Sequence, residues 1–593
     1  MRILGLNSGR AAPPRHDPAG KRRLADGSAA LLVDGDVACA ALEERHCRIK
    51  YAGGFAHAAP AVLADAGCTI EDVDAVGLST CCDSPWGCAS DRLDLMVEEL
   101  GPAYGADRIW NAWSGRVHCV DHHDSHAALA FYGCGWGRAL VGVIDGFGNR
   151  RDGSGRFHLH EDWWRGSFDR QTFYLAEWVE GRMRLERVSE SATSPDAIGL
   201  AELYRGVTHF CGWPSYQFAG KTMALSAFGD RRRLERLVLA DIDERGKARV
   251  RLRNRHDDPL RQVSEALAAA GYEIPDGLHR PASPAEPFLA DIAALAQHQV
   301  EASLAAEVSE LTDRYRIQRV ALAGGLAMNC VGLGRLAAAR PDLEFYVPPA
   351  PGDTGQGLGN AIWLGYAQGS PVAETSRPRG LPTASLGPAY GRDRTGRAVE
   401  LFAATRSWAD VRSGLSDSAL AQAALSSLSE GRIIGVRSGR AEYGPRALGQ
   451  CSILADPRDP DAHGRVNRIK KREDFRPFAA SILQEHCAAC FDVPVFSPFM
   501  SFAASATPYF ARAAPAVVHV DGTTRYQSVT GEPSPLQHLL EQTGRAGAPP
   551  VILNTSFNMA GEPMVETPEN ALNVFERSGL DGLILGEHWI VRR

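Results

Sequence analysis

Residues 120–148, VDHHDSHAALAFYGCGWGRALVGVIDGFG, set three histidines and three aspartates among small and apolar residues. If Asp124-Ser125 opens a helix, His122 and His126 fall one turn apart on one face. Two imidazoles at that spacing can share one ion. His123 is also near His126, and spacing alone leaves that choice open. An isolated H-x-x-x-H is more often a pair of satisfied polar groups beside a strand. Asp145, however, ends an apolar strand and precedes Gly-Phe-Gly, where backbone can approach a ligand closely. YVPPAPGDTGQGLGNA repeats the arrangement, with Asp353 in a glycine-rich bend before a helix. Two His and two Asp suit Fe(II), Mn or Zn better than Mg or Ca, which favour all-oxygen shells.

A second constellation has the opposite charge. GVRSGRAEYGPRALGQCSILADPR and NRIKKREDFRPFAASIL concentrate Arg437, Arg440, Arg446, Arg458, Lys470, Arg472 and Arg476 beside glycine, proline and apolar residues. A solvated basic helix face would instead alternate with Glu and Gln. Guanidinium forks held in a Gly/Pro frame fit a compact anion such as a phosphate or carbamoyl phosphate. Asn554 and Ser556, in ILNTSFNMAGEP, can donate to the same anion. LAGGLAMNC offers the Gly324 and Gly325 backbone to a nucleotide, with Asn329 just beyond and Gly355 in the second glycine bend. A plain tight turn explains that stretch as readily. Lys221, in FAGKTMALSAFG, is a possible phosphate contact or a solvated lysine. No Walker loop, kinase signature or G-x-S-x-G elbow is present.

These groups need scaffolds. At 593 residues the chain is too long for one ordinary core. Apolar runs split by Asp34-Gly35 read as a hairpin, and VDAVGLS, RVHCVD and ALVGVIDGFG as further strands. PFLADIAALAQHQVEASLAAEVSELTDRY has helical periodicity and leads into the strand RVALAGG. Strands and helices joined by glycine turns predict an α/β domain over residues 1–378. A Pro/Gly/Ser/Arg-rich connection precedes a second α/β block over 379–593, with late strands in AVVHVDG and PVILNTSFN. No internal repeat is visible. A net charge of −7 gives no global pull toward nucleic acid or an anionic membrane. No apolar run approaches a membrane span, no signal peptide opens the chain, and thirteen scattered cysteines fit a reduced, cytoplasmic protein. Cys487 and Cys490 form one C-x-x-C without a second pair, short of a zinc site.

Taken together, DGSAALLVDG…EERHCRIK, HHDSHAALAFY, VIDGFG, GKTMALSAFG, GGLAMNC, PGDTGQGLGNA, EYGPRALG…SILADPR, KKREDFRPFA and LNTSFNMAGEPMVETPENAL resemble the O-carbamoyltransferases of nodulation-factor and antibiotic biosynthesis, the tobramycin carbamoyltransferase type. The resemblance runs essentially end to end. It implies an N-terminal ASKHA (actin-like ATPase-type) domain and a C-terminal YrdC-like domain. It further implies that carbamoyl phosphate is cleaved, that the carbamate is joined to ATP with release of pyrophosphate, and that the carbamoyl group passes to a substrate hydroxyl with release of AMP. By this resemblance the metal, expected as Fe(II), falls on His122, His126, Asp145 and Asp353. Carbamoyl phosphate falls on Arg446, Lys470, Arg476, Arg525, Asn554 and Ser556, and Mg is expected with ATP. Arg525 comes from the resemblance alone.

Three departures stand out. The family's His-Asp pair near the first hairpin reads Ala25-Asp26 here, leaving His16, in PRHDPAG, as the acceptor-side base. Gln450-Cys451 replaces the usual Asn-Arg after RALG, and CVGLGRL is less polar than expected after the Gly-Gly turn. The expected partner is a small hydroxylated natural product, without nucleic acid or membrane; no oligomeric state can be read. The competing readings are a tRNA threonylcarbamoyl-type transferase and a nucleotide-gated ASKHA binding protein.

Overall fold

The structure, a computed structural model, describes residues 1–9, 25–79, 89–149, 167–193, 197–255, 258–367, 380–531 and 534–593. It divides into two compact units. The first joins Met1–Glu43 to Tyr51–Pro382, and the second joins Glu44–Lys50 to Thr383–Arg593.

In the first unit, β1 (Arg2–Asn7), β2 (Ser28–Val33) and β3 (Asp36–Leu42) form an antiparallel meander. The Asp34-Gly35 turn has positive φ at both residues, the left-handed geometry that lets a two-residue hairpin match strand twist. β4 (Ala75–Ser79) and β5 (Val117–Cys119) add in parallel beyond β1, giving the order β3-β2-β1-β4-β5. Helix α1 (His122–Cys134) follows, and β6 (Arg138–Ile144), β7 (Asp169–Val179) and β8 (Arg182–Ala192) repeat the meander. The predicted long helix is α2 (Pro287–Tyr315), started by Pro287 and ended by Arg316 in the left-handed region. It leads into β9 (Arg319–Ala323), α3 (Cys330–Ala339), β10 (Glu344–Tyr346) and α4 (Gln356–Tyr366). β9 and β10 extend the second sheet in parallel from β6, in the order β10-β9-β6-β7-β8. One five-stranded plan therefore occurs twice, and the unit has the α/β architecture expected of it.

Continuous apolar runs make these inner strands: Leu4, Leu6, Leu31, Val76 and Leu78 are buried in the first sheet, and Leu140, Val141, Val320 and Leu322 in the second. α4 packs on both β1 and α1 through glycines. A Cβ on Gly359 would sit 2.3 Å from the Ser125 carbonyl oxygen, so the close α4–α1 approach requires a residue without one.

The second unit is a nine-stranded mixed sheet. Its strands are β11 (Ala409–Arg412), β12 (Ile434–Arg437), β13 (Cys451–Ala455), β14 (Ala479–Leu483), β15 (Phe502–Ser505), β16 (Thr523–Val529), β17 (Val551–Ser556), β18 (Gly582–Leu585) and β19 (His588–Arg592). They pair in the order β11-β19-β18-β12-β13-β17-β14-β16-β15. Helix α5 (Asp417–Ser429) covers part of the sheet, and α6 (Ala462–Lys470) connects β13 to β14. The strand predicted in AVVHVDG is absent: Pro515 starts a single 3₁₀ turn over Pro515–Val517, and pairing begins only at Thr523. Cys487 and Cys490 are buried free thiols in one short helical turn. No described helix is long and apolar enough to cross a membrane.

Candidate functional site

Asp121 caps α1, its carboxylate accepting from the N–H groups of His123 and Asp124. That start fixes the helical phase of the three histidines. His122 and His126 turn to one side and His123 to another, where its Nδ1 lies 2.7 Å from Thr172 Oγ1. Asp145 leaves the end of β6, and Asp353 enters from the turn before α4. His122 Nε2 is 3.1 Å from Asp145 Oδ2 and 3.4 Å from Asp353 Oδ1. His126 Nε2 is 4.0 Å and 3.5 Å from the same two oxygens.

Each member is held from behind. The backbone N–H of His122 donates to Asn149 Oδ1 (2.5 Å), and Gly325 N–H donates to Asp145 Oδ1 (2.7 Å). Asn7, at the end of β1, donates to the carbonyl of Asp353 (2.9 Å). Burial pushes the Asp145 carboxyl up, but the His122 hydrogen bond and the surrounding imidazoles outweigh it and hold the group well below the usual range. Asp353 is likewise lowered, against burial and the Asp145 charge, by His122 and His126. Burial and the neighbouring His122 hold His123 well below an ordinary histidine.

These residues fit a metal ion. One ligand atom from each of His122, His126, Asp145 and Asp353 lies within 4.8 Å of the others. His126 Nε2 is buried and has no hydrogen-bond partner among the described residues, the state of a nitrogen shaped for a ligand. Only Asp353 is appreciably exposed, at 22%, so its side is the open side of the cluster.

The expected nucleotide contacts are structurally engaged. Gly324 has φ +88, and a Cβ there would meet the Ile144 carbonyl oxygen at 2.4 Å. Asn329 caps α3 through Gly332 N–H and exchanges amide hydrogen bonds with Gln297. Gly355 would clash with Ala350 if substituted, and Lys221 Nζ lies 4.8 Å from the centre of the Phe218 ring. His16 lies outside the described residues.

In the second unit, Asn554, Ala479 and Arg525 form one row across β17, β14 and β16. Residues opposite one another share a face. Asn554 accordingly donates to Ser481 Oγ (3.0 Å), which donates to Gln527 Oε1 (2.7 Å). Asn554 Oδ1 and Arg525 Nε are buried without partners among the described residues. One step along β17, Ser556 accepts from Lys470 through both its backbone oxygen and its Oγ (3.2 Å to the latter). Asn558, which sequence reasoning missed, accepts from the same ammonium through its carbonyl (3.0 Å) and Oδ1 (3.1 Å). Burial first, then Arg472, Arg476 and Lys50, hold Lys470 well below an ordinary lysine. This cluster of cations gains stability on receiving an anion.

Arg446 stands in the loop between β12 and β13. The buried Glu442 shapes that loop by accepting from the N–H groups of Leu448 and Gln450 (both 2.8 Å) and Cys451 (3.1 Å). Other arginines of the run are structural. Arg437 and Arg440 donate to the carbonyls of Glu566 and Gly387, and Arg458 pairs with Asp456. The largest omission is Glu44–Lys50. Arg45 in that segment is 2% exposed and donates to the Gly444 carbonyl (2.6 Å), while its Nε and other terminal nitrogen lack partners among the described residues. Arg48 donates to the carbonyls of Met564 (2.6 Å) and Pro563 (3.0 Å). The Arg/His/Lys density of EERHCRIK was the available signal.

Comparison with known proteins agrees with this division. Residues 103–362 match the model described as carbamoyltransferase N-terminus, and 425–592 that described as carbamoyltransferase C-terminus. The chain is 29% identical to the nodulation protein NolNO of Sinorhizobium fredii over 96% of its own length and 79% of that protein. It is 28% identical to the 3'-hydroxymethylcephem-O-carbamoyltransferase of Amycolatopsis lactamdurans, over 72% of this chain and 75% of that one. Both halves of one family are matched in order over well over half of the chain, and the chain belongs to the carbamoyltransferase family.

Proposed function

We propose that the protein is an ATP-dependent O-carbamoyltransferase acting on a small natural-product alcohol. Its C-terminal unit, read as YrdC-like, uses water to cleave carbamoyl phosphate to carbamate and phosphate. The carbamate oxygen then attacks the α-phosphorus of ATP, forming carbamoyl adenylate and releasing pyrophosphate. In the N-terminal, ASKHA-type unit the acceptor hydroxyl attacks the carbamoyl carbon, and AMP leaves with the bonding pair.

The observation carrying this reading is the buried row of Asn554 and Arg525, whose Oδ1 and Nε lack partners among the described residues, beside the cations Lys470, Arg472 and Arg476. Carbamate is a poor nucleophile and electrophile, and cations aimed at the gathering negative charge stabilise its adenylation. Lys470, Arg476, Arg525 and Arg446 serve as those cations, with Arg45 as a further anion contact, while Asn554 and Ser556 orient the anion. In the first unit, His122, His126, Asp145 and Asp353 hold a divalent metal, proposed as Fe(II) with Mn or Zn as alternatives. When bound, such an ion polarises the transferred group and orients the adenylate phosphate. Asn149, Gly325 and Asn7 keep the four donors in place. A hydroxymethylcephem represents the acceptor class, by analogy with the named O-carbamoyltransferase relative.

Mass spectrometry of reactions containing ATP, carbamoyl phosphate and candidate alcohols tests the proposal. The expected result is AMP, pyrophosphate and an acceptor heavier by one carbamoyl group. ATP hydrolysis that is indifferent to carbamoyl phosphate would refute it.

A further inference from the structure

Several polar groups of the second unit converge on the backbone of an irregular segment, Phe475–Pro477. His463, on α6, lies with Nε2 3.0 Å from the Arg476 carbonyl oxygen. His519, before β16, lies with Nε2 3.3 Å from the Phe475 carbonyl oxygen. Arg472 reaches both the Arg476 carbonyl (3.3 Å) and the Pro477 carbonyl (3.0 Å) with one terminal nitrogen. Three consecutive carbonyls are therefore gripped from three different places in the chain.

The grip is itself fixed. The Arg472 guanidinium lies 4.0 Å from the centre of the Phe478 ring, and its Nε donates to Asn467 Oδ1. Asn467 is buried and also donates to the Asp474 carbonyl (3.4 Å). The His463 ring packs edge-on against Phe478 at 5.4 Å. Burial, with the nearby Arg476 and Arg525, holds Arg472 well below an ordinary arginine. Its Nε and one terminal nitrogen point at protein oxygens. Arg476 lies 3.7 Å from the Glu473 carboxylate.

A long arginine on an irregular segment has many orientations, and fixing its backbone lowers the entropy lost when it grips a ligand. We propose that His463, Arg472 and His519 are positioning residues that brace Phe475–Pro477 so that Arg476 is pre-aimed at its anion. This rests on the reading of Arg476 as a carbamoyl-phosphate contact.

The test measures carbamoyl-phosphate-dependent pyrophosphate release from ATP, alongside calorimetric binding of inorganic phosphate, in the full chain. His463→Ala and His519→Ala should each raise KM for carbamoyl phosphate roughly 3- to 10-fold, the equivalent of one ordinary hydrogen bond. KM for ATP should stay within about twofold, and His463→Gln, which retains an N–H donor, should recover most of the loss. In an Arg476→Ala background, His463→Ala and Arg472→Met should each add less than about twofold. Equal losses in both backgrounds, or a parallel rise in KM for ATP, would overturn the brace. If the wild type ignores carbamoyl phosphate while phosphate binding still shows this non-additivity, the parent reading fails and the brace stands. If Arg476→Ala leaves phosphate binding unchanged, the brace fails too.

Discussion

Asn7 and Asp353 are 346 positions apart, yet the Asn7 side-chain amide donates to the Asp353 carbonyl at 2.9 Å. The same nitrogen reaches the Asp26 carbonyl at 3.0 Å. One residue at the end of the first strand thus fixes the turn that presents the second carboxylate to His122 and His126. Asn7→Ala removes none of the four donor groups, but it frees that turn. Metal affinity should fall about 10-fold, in the range typical of groups that orient ligands. Titration of the apoprotein with Co(II), followed by its visible absorption, measures this; an affinity within twofold of wild type would contradict it.

His122 and His123 are adjacent and equally buried, but only His122 faces the carboxylates. His122→Ala should abolish stoichiometric metal retention after dialysis. His123→Ala should retain the metal and lower stability by about 1–3 kcal/mol through the unpaired Thr172 hydroxyl and the lost packing. Elemental analysis and thermal unfolding of the two variants separate these outcomes.

Lys470 gives the second unit a pH dependence of definite sign. Its folded pKa lies below the unfolded value, chiefly through burial. Between the two values the unfolded chain binds the extra proton, so stability rises with pH across that window. Below the folded pKa the penalty of burying the charge is present in full. Urea unfolding of wild type should therefore show stability increasing toward the ordinary lysine range, and Lys470→Met should lack that component. Phosphate, by pairing with the ammonium, should flatten the wild-type slope. A variant retaining the full slope would show that another group is responsible.

Gly359→Ala tests how closely α4 and α1 must approach. The added methyl would sit 2.3 Å from the Ser125 carbonyl, on the turn between His122 and His126. A backbone oxygen cannot rotate away as a flexible side chain can. Destabilisation of about 1–3 kcal/mol is expected, with weaker metal retention, while phosphate binding by the second unit is unchanged. Calorimetric unfolding and phosphate titration read the two effects separately.

The first site was legible because its geometry is partly local. His122 and His126 share a face through helical spacing, Asp145 ends an apolar strand before glycine, and Asp353 sits in a glycine-rich bend. Spacing alone left His122 and His123 undecided, because the choice depends on the phase set by Asp121 and on Thr172 far along the chain, and only the family resemblance favoured His122. The doubled five-stranded plan was invisible: strand order is fixed by pairing, which different apolar sequences satisfy equally well. In the second unit the basic run was evident, but the roles within it were not. Arg437, Arg440 and Arg472 grip carbonyls that only folding brings to them. AVVHVDG has strand composition, yet Pro515 and the turn it starts displace pairing to Thr523.

The short segment Glu44–Lys50 has a consequence for how the protein is made and divided. The polypeptide passes from one unit to the other at Glu43, returns at Tyr51, and crosses finally after Pro382. Arg45 leaves the ribosome long before Gly444, the partner 399 residues downstream whose carbonyl it will grip. A C-terminal product beginning after Pro382 would therefore lack Arg45 and its bond to Gly444. A chimera that exchanges the C-terminal half at the linker alone would inherit seven residues from the wrong parent, Arg45 among them.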